Sequence, residues 1–341
     1  MSYIRSQKFQ PHKFFLVVAL PLVVAVSSCS RQGQSQSALG SVVTGKGAGQ
    51  ASPLAPAEVQ EPSQTPPSQT LEPSPATAVL AKAEKTLPYP KREDLDKLDT
   101  VLQSLSPKAK AAMPLTAANR AEFLTDLEQL LEEEKGFRTD DLSLYYLIDK
   151  KHNVGADYVP KDLVLLKKND LFDINKNNLS LRPEAYEALC EMARASLKDG
   201  VRLLVSSTYR SYEYQTWLFQ HWVDVDGLEE AERESARAGT SQHQLGVAVD
   251  FGSISDDFAD TKMGKWVYAH SEDYGWSLSF PQGYEDVTGF RWESWHFRYI
   301  GKNACLLQKK WFADIQQYMI EFIYGWKQTE SYRTFAEKNG I

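Results

Sequence analysis

Ser241-Gln242-His243-Gln244-Leu245-Gly246-Val247-Ala248-Val249-Asp250 sets an imidazole and a carboxylate at the two ends of a short run of small and apolar residues. Farther along, Glu293-Ser294-Trp295-His296 supplies a second carboxylate and a second imidazole. His243, Asp250 and His296 make a nitrogen and oxygen donor set of the kind that holds a catalytic zinc and leaves its fourth position open to water. Glu293, close before one ligand, is then left as a base for that water. Taken singly, a His is more often a packed or solvent-facing group than a ligand. An Asp that closes an apolar run is usually a turn or a helix cap. Two compact blocks occurring together weaken both of these plainer explanations.

The pattern Ser-x-His-x-x-Gly-x-Ala-x-Asp followed by Glu-x-Trp-His-x-Arg resembles the signature of the VanY-type zinc D-alanyl-D-alanine carboxypeptidases. Its fixed positions are filled by Ser241, His243, Gly246, Ala248, Asp250, Glu293, Trp295, His296 and Arg298. Thr208-Tyr209-Arg210-Ser211 with Gln215 resembles a second element of that family, with Thr208 where Gly is usual. Tyr274-Gly275-Trp276-Ser277-Leu278-Ser279-Phe280-Pro281 resembles a third, but Ser279 stands where the family usually has Arg. The resemblance covers residues 143–302, under half of the chain.

That resemblance implies an α+β fold in which a small antiparallel sheet with flanking helices holds one zinc ion per chain. It makes His243, Asp250 and His296 the ligands and Glu293 the base. Arg210 joins the catalytic group, either sharing the charge of the oxyanion or clamping a terminal carboxylate. Ser241, Gln215, Tyr209 and Trp295 are the expected substrate contacts. The implied substrate is a peptidoglycan stem peptide, which loses its terminal D-Ala. Relatives that act as L,D-carboxypeptidases or as endopeptidases share the motif. A lipoprotein that binds peptidoglycan without cleaving it is the competing class, and loss of a ligand or of the base would be its mark.

The remaining sequence presents this site. A mildly acidic balance, −7 over 341 residues, gives no support for a nucleic-acid partner. Arg5, Lys8 and Lys13 precede an apolar run, Phe14 to Val26, that is too short to span a bilayer but fits an export signal. Val26-Ser27-Ser28-Cys29 resembles a lipobox, which makes residues 1–29 a lipoprotein signal and Cys29 the lipidated residue. The expectation is an envelope protein anchored by lipid to a membrane, facing the periplasm or the exterior, and monomeric. Residues 30–90, rich in Ser, Gln and Pro, cannot bury enough apolar surface to offset their ordering entropy and read as a tether.

Leu95, Leu98, Val101 and Leu102, then Phe123, Leu127, Leu130 and Leu131, predict two amphipathic helices within 91–142, broken near Ser106-Pro107. Tyr145 to Asp149 and Leu163 to Leu166 suit strands or extended arms. Arg182-Pro183 opens a helix that ends at Asp199-Gly200, and Val201 to Ser207 reads as a strand. On a flat strand Glu293 and His296 would face opposite ways, so a turn is required between them if both address one metal. Residues 303–341 read as one long amphipathic helix. His152, His221 and His270 are read as structural or solvent-facing. Cys190 and Cys305 are read as two buried thiols, with a disulfide the alternative in an oxidising compartment.

Overall fold

Ser106 shows how local chemistry divides the first helical region. Its hydroxyl accepts the Ala109 N–H at 3.1 Å, and Pro107 takes the first helical position, where no N–H is needed. The computed structural model describes residues 92–135, 137 and 141–339; the expected signal, Cys29 and the whole of the expected tether, 30–90, lie outside the described residues. Three helices come first: α1 (Arg92–Ser104), α2 (Pro107–Ala112) and α3 (Arg120–Glu134). The break at Ser106-Pro107 is where the sequence predicts it. The break between α2 and α3 is not marked by apolar spacing. There the Asn119 side chain accepts the Thr116 N–H and donates to the Pro114 carbonyl, which gives the backbone a local alternative to helix.

The following strands and helices form the body that carries the two motif blocks. β1 (Val164–Leu165) pairs with β3 (Ser180–Leu181) in a two-stranded ribbon, and β2 (Phe172–Ile174) lies between them in sequence. Next come α4 (Pro183–Lys198), β4 (Leu203–Ser207), α5 (Tyr212–Asp226), α6 (Leu228–Glu234), β5 (Ala248–Phe251) and α7 (Lys262–His270). β6 (Trp276–Leu278), α8 (Glu285–Thr288) and β7 (His296–Tyr299) complete it. The main sheet has the order β2-β4-β5-β7-β6. Its central pairings are antiparallel as expected, but β2 and β4 run parallel. The chain returns from β2 to β4 through α4, and such a helical crossover delivers parallel strands. α4 begins at Pro183, carries Lys198 in its last turn and gives way to Gly200 at φ +67°, as the sequence predicts.

Residues 145–149 join no strand; 146–148 run irregularly between a turn at 144–145 and a bend at 149–150, which leaves the extended arm, the alternative to a strand, as the reading that fits. Two buried arginines tie this segment down by its carbonyl groups. Arg182 Nη1 donates to Leu142 O at 2.6 Å, and Arg298 Nη2 donates to Leu144 O at 2.7 Å and Tyr146 O at 2.8 Å. Burial, helped by the neighbouring Arg182 charge, pushes the Arg298 guanidinium down to about 9, so it stays cationic at neutral pH. Arg298→Met would leave two carbonyls without partners. The expected loss is about 2–4 kcal/mol of folding stability, read as a lower denaturation midpoint at unchanged slope. An unchanged midpoint would show that these bonds do not support the segment.

The C-terminal tail is two helices, α9 (Lys302–Trp311) and α10 (Gln316–Asn339), where one was expected. Ala313 at φ +50° and Asp314 at φ +62° are left-handed, which no continuous helix allows. Gln308 holds the break by donating to the Asp314 carboxylate at 3.0 Å and accepting the Asp314 N–H at 3.2 Å. The bend brings Trp311, Phe312 and Phe322 around Phe123 of α3, with ring centroids 5.4, 6.0 and 5.2 Å from it. α1 packs on α10 at Gly325, where an added Cβ would lie 3.3 Å from Val101 Cγ1. The two helical additions therefore share one apolar core with the sheet.

Candidate metal centre

Gly246 is the residue that lets the first block enter the sheet. The Ser241 hydroxyl accepts the His243 N–H at 3.3 Å and starts a single helical turn over Gln242–Leu245. That turn ends at Gly246 in the left-handed conformation, φ +69°. A Cβ there would stand 3.0 Å from Leu163 and 3.1 Å from Pro160, so both space and backbone demand glycine. The chain then continues as β5, and the register pairs Asp250 with His296 of β7 and with Ser207 of β4. On the other side, Glu293 reaches the same place through the required turn. Ser294 and Trp295 form it, and the His296 N–H donates to the Glu293 carbonyl at 3.3 Å.

The result is a buried triad. His243, Asp250 and His296 are 2%, 1% and 4% exposed, and one ligand atom from each lies within 4.8 Å of the others. Among the described residues this is the one group of three or more metal-binding side chains brought together. His243 Nε2 is 3.2 Å from Asp250 Oδ2, and His296 Nδ1 is 3.1 Å from Asp250 Oδ1. These are ion-pair distances; His243 Nε2 and Asp250 Oδ1 have no hydrogen-bond partner within the protein. Buried polar atoms are rarely left so, because each costs about 1–3 kcal/mol. Two imidazoles and a carboxylate with orphaned atoms turned to one point fit a zinc ion.

The far sides of both rings are tied. His243 Nδ1 lies 2.7 Å from the Thr208 carbonyl, which can only accept, so Nδ1 carries the proton and Nε2 keeps its lone pair. His296 Nε2 is 3.2 Å from Gln242 Oε1, which leaves Nδ1 facing Asp250. Burial and the nearby Arg210 charge push His243 down to about 4, so it is neutral at pH 7. Burial alone would raise the Asp250 carboxyl, but the two imidazoles and Arg210 outweigh it and hold the group ionised. Glu293 goes the other way. Burial, then repulsion from Asp250, raises its carboxyl well above the usual range. Its Oε2 lies 3.5 Å from His296 Nδ1.

The triad lines a cleft of about 560 Å³, together with Arg210, Glu293, Ser241 and Trp295. Arg210 donates through Nη2 to Asp250 Oδ2 at 2.7 Å and through Nε to Ser207 Oγ at 2.9 Å. Its Nη1 has a longer contact, 3.5 Å, to Gln215 Oε1. Gln215 is buried, donates to the Ala236 carbonyl at 2.7 Å, and does not line the cleft; nor does Tyr209. Gln215 thus reaches the site only through Arg210. Ser207 and Gln242 support the centre although the sequence assigns them no role there, and Thr208, marked in the sequence only as standing where Gly is usual, does so through its carbonyl; a carbonyl or neutral side chain behind a ligand leaves no spacing signature. His152, His221 and His270 lie outside the triad, and Cys190 and Cys305 are buried free thiols, as expected.

A family model described as VanY, D-alanyl-D-alanine carboxypeptidase, matches residues 178–302. The chain is 35% identical over 164 residues to the putative carboxypeptidase YodJ of Bacillus subtilis (strain 168), covering 46% of this chain and 60% of the relative. It is 29% identical over 198 residues to a D-alanyl-D-alanine carboxypeptidase of Enterococcus faecium, covering 56% of this chain and 61% of the relative. The chain therefore spans about three fifths of the length of these two curated relatives. Among solved structures it is similar to the LdcB LD-carboxypeptidase at 30% identity and a TM-score of 0.46, covering 54% of this chain and 86% of that one.

Proposed function

The chain belongs to the VanY family of D-alanyl-D-alanine carboxypeptidases through residues 178–302, and from this premise we propose that it is a zinc-dependent carboxypeptidase that removes the terminal D-Ala of peptidoglycan stem peptides. The observation that carries the reading is the buried triad with its two orphaned atoms, set beside a carboxyl of raised pKa in an open cleft. His243 through Nε2, His296 through Nδ1 and Asp250 would hold the ion. Bound zinc supplies Lewis acidity that brings the pKa of a water to about 7.

Glu293 accepts a proton from the attacking water and hands it to the departing amine. Its raised pKa suits the proton-accepting half of that exchange, since such a carboxyl holds an accepted proton more readily than an ordinary carboxylate does. Neutral His243 keeps its free Nε2 as a donor to the ion. Arg210 keeps Nη1 the least engaged of its nitrogens, and that edge is available to a substrate carboxylate. A guanidinium bonds a carboxylate through two parallel N–H groups, which a lysine ammonium cannot reproduce.

Mass spectrometry of pentapeptide and tetrapeptide stems after incubation with the zinc-loaded chain tests the reading. The pentapeptide should lose one D-Ala and the tetrapeptide should remain intact. Cleavage of the tetrapeptide alone would replace the reading by L,D-specificity, and cleavage of neither would remove it. The role of Arg210 has its own test. Arg210→Lys should lower kcat/KM by about 10- to 100-fold, the scale of one charge-assisted bond of 1.5–3 kcal/mol. Amidating the substrate's C-terminus should cost the wild type a similar factor and the variant little more. Equal additional losses in both proteins would point instead to oxyanion stabilisation by Arg210.

A further inference from the structure

Ser279 stands where the second imidazole's support is decided. It is 3% exposed, and its hydroxyl donates to Gln242 Oε1 at 2.7 Å. The same Gln242 oxygen lies 3.2 Å from His296 Nε2. A second acceptor, Gln316 Oε1 at the start of α10, is 3.3 Å from the Ser279 hydroxyl. Gln316 Nε2 donates to the Ser277 carbonyl at 3.2 Å, and a carbonyl can only accept. That fixed end turns the Gln316 oxygen, not its nitrogen, toward Ser279. All four side chains are buried.

We infer that Gln242, oriented by Ser279, is a positioning residue that fixes His296 as the Nε2–H tautomer and so presents Nδ1 as the zinc donor. The inference rests on the zinc reading above. Its physical basis is the ambiguity of an amide. Gln242 can turn either its oxygen or its NH2 toward the ring, and the two orientations select opposite tautomers of His296. With the oxygen inward, Nε2 must carry the proton and Nδ1 is free. With the NH2 inward, Nδ1 would carry the proton and could not bind a metal. The Ser279 hydroxyl, placed among oxygens, favours the first orientation by donating to the same Oε1. Partners of this kind behind a metal-bound imidazole set both ring orientation and basicity, and their loss typically costs about 10- to 100-fold in metal affinity. The arrangement also gives Ser279 a role of its own: a larger charged side chain would not fit into this buried contact with Gln242 and Gln316 unchanged.

The full chain carrying nitrogen-15 histidine tests this without any peptide. In the zinc-loaded chain, long-range nitrogen–proton spectra should show a proton on His296 Nε2 and none on Nδ1. Ser279→Ala and Gln242→Leu should erode that preference and weaken zinc, in competition with a chromophoric chelator, by about 10- to 100-fold. Gln242→Glu, which keeps an acceptor toward the ring, should retain the tautomer and hold zinc within a few-fold of wild type. This conservative variant separates positioning from general damage, and thermal melts of all three variants check the fold. A wild-type His296 protonated at Nδ1, or Ser279→Ala with unchanged tautomer and zinc affinity, overturns the inference. A chain that shows the expected tautomer and zinc affinities but cleaves no stem peptide would refute the proposed function and leave this inference standing.

Discussion

Glu293→Gln is expected to keep about one zinc per chain and to lower kcat by about 10²- to 10⁴-fold, the usual worth of a positioned proton-transfer group. The substitution removes the proton acceptor while preserving size, and it leaves all three proposed ligands in place. Metal content by atomic absorption and turnover on a stem pentapeptide give the two halves of the result. Near-normal turnover in the variant would remove Glu293 from the mechanism. A second consequence follows in the metal-free protein from the raised carboxyl pKa. Below the unfolded-state pKa of about 4.5 both states are protonated and the group adds nothing. As pH rises past that value the unfolded chain ionises while buried Glu293 resists, so ionisation favours unfolding. The variant should therefore melt close to wild type near pH 4 and above it near pH 7. Equal melting temperatures at both pH values would mean that Glu293 carries no burial penalty.

Replacing a ligand should have the larger effect on the metal. His243→Ala, His296→Ala and Asp250→Ala are each expected to abolish stoichiometric zinc and to lower kcat/KM by about 10³-fold or more. That factor corresponds to several kcal/mol of transition-state stabilisation, at about 1.4 kcal/mol for each tenfold. Asp250 has a further duty, since its carboxylate also receives Arg210 Nη2 at 2.7 Å. Asp250→Ala should then disturb Arg210 as well, and amidated and free substrates should lose their difference in this variant. His243→Ala should preserve whatever preference its residual activity shows. A variant of any of the three that still bound one zinc with wild-type affinity would break the assigned ligand set.

The contrast between Glu293 and Asp250 supports assigning one carboxylate as the proposed base and the other as a proposed ligand. Both are buried to a similar degree. Asp250 is flanked by two imidazoles and a guanidinium, so its charge is held. Glu293 has its Asp250 neighbour's negative charge added to the cost of burial, so it favours the proton. Two carboxyls whose surroundings push their pKa values apart divide naturally into an ionised group and a proton carrier.

The sequence by itself pointed to the proposed chemistry. His243, Asp250, Glu293 and His296 could be named from residue types and spacing because ligands and bases need particular atoms, and those atoms are visible in the letters. It also determined elements whose signals are local. The Ser106-Pro107 break, the run of α4 from Pro183 to Gly200 and the turn between Glu293 and His296 each depend on a few neighbouring residues. Only the tertiary structure decided the rest. The register of β5 against β7, which sets Asp250 beside His296, is fixed by pairing between distant segments. The break at Ala313 and Asp314 is stabilised by the packing of Trp311, Phe312 and Phe322 around Phe123, across nearly two hundred residues of sequence, and no helical period could reveal it. Ser279 is the clearest case. In the sequence it is a departure from an expected arginine, while in the fold it is a buried donor to the side chain behind His296. A hydrogen bond between neutral groups leaves no mark in composition, periodicity or charge, and it exists only once the strands have brought its partners together.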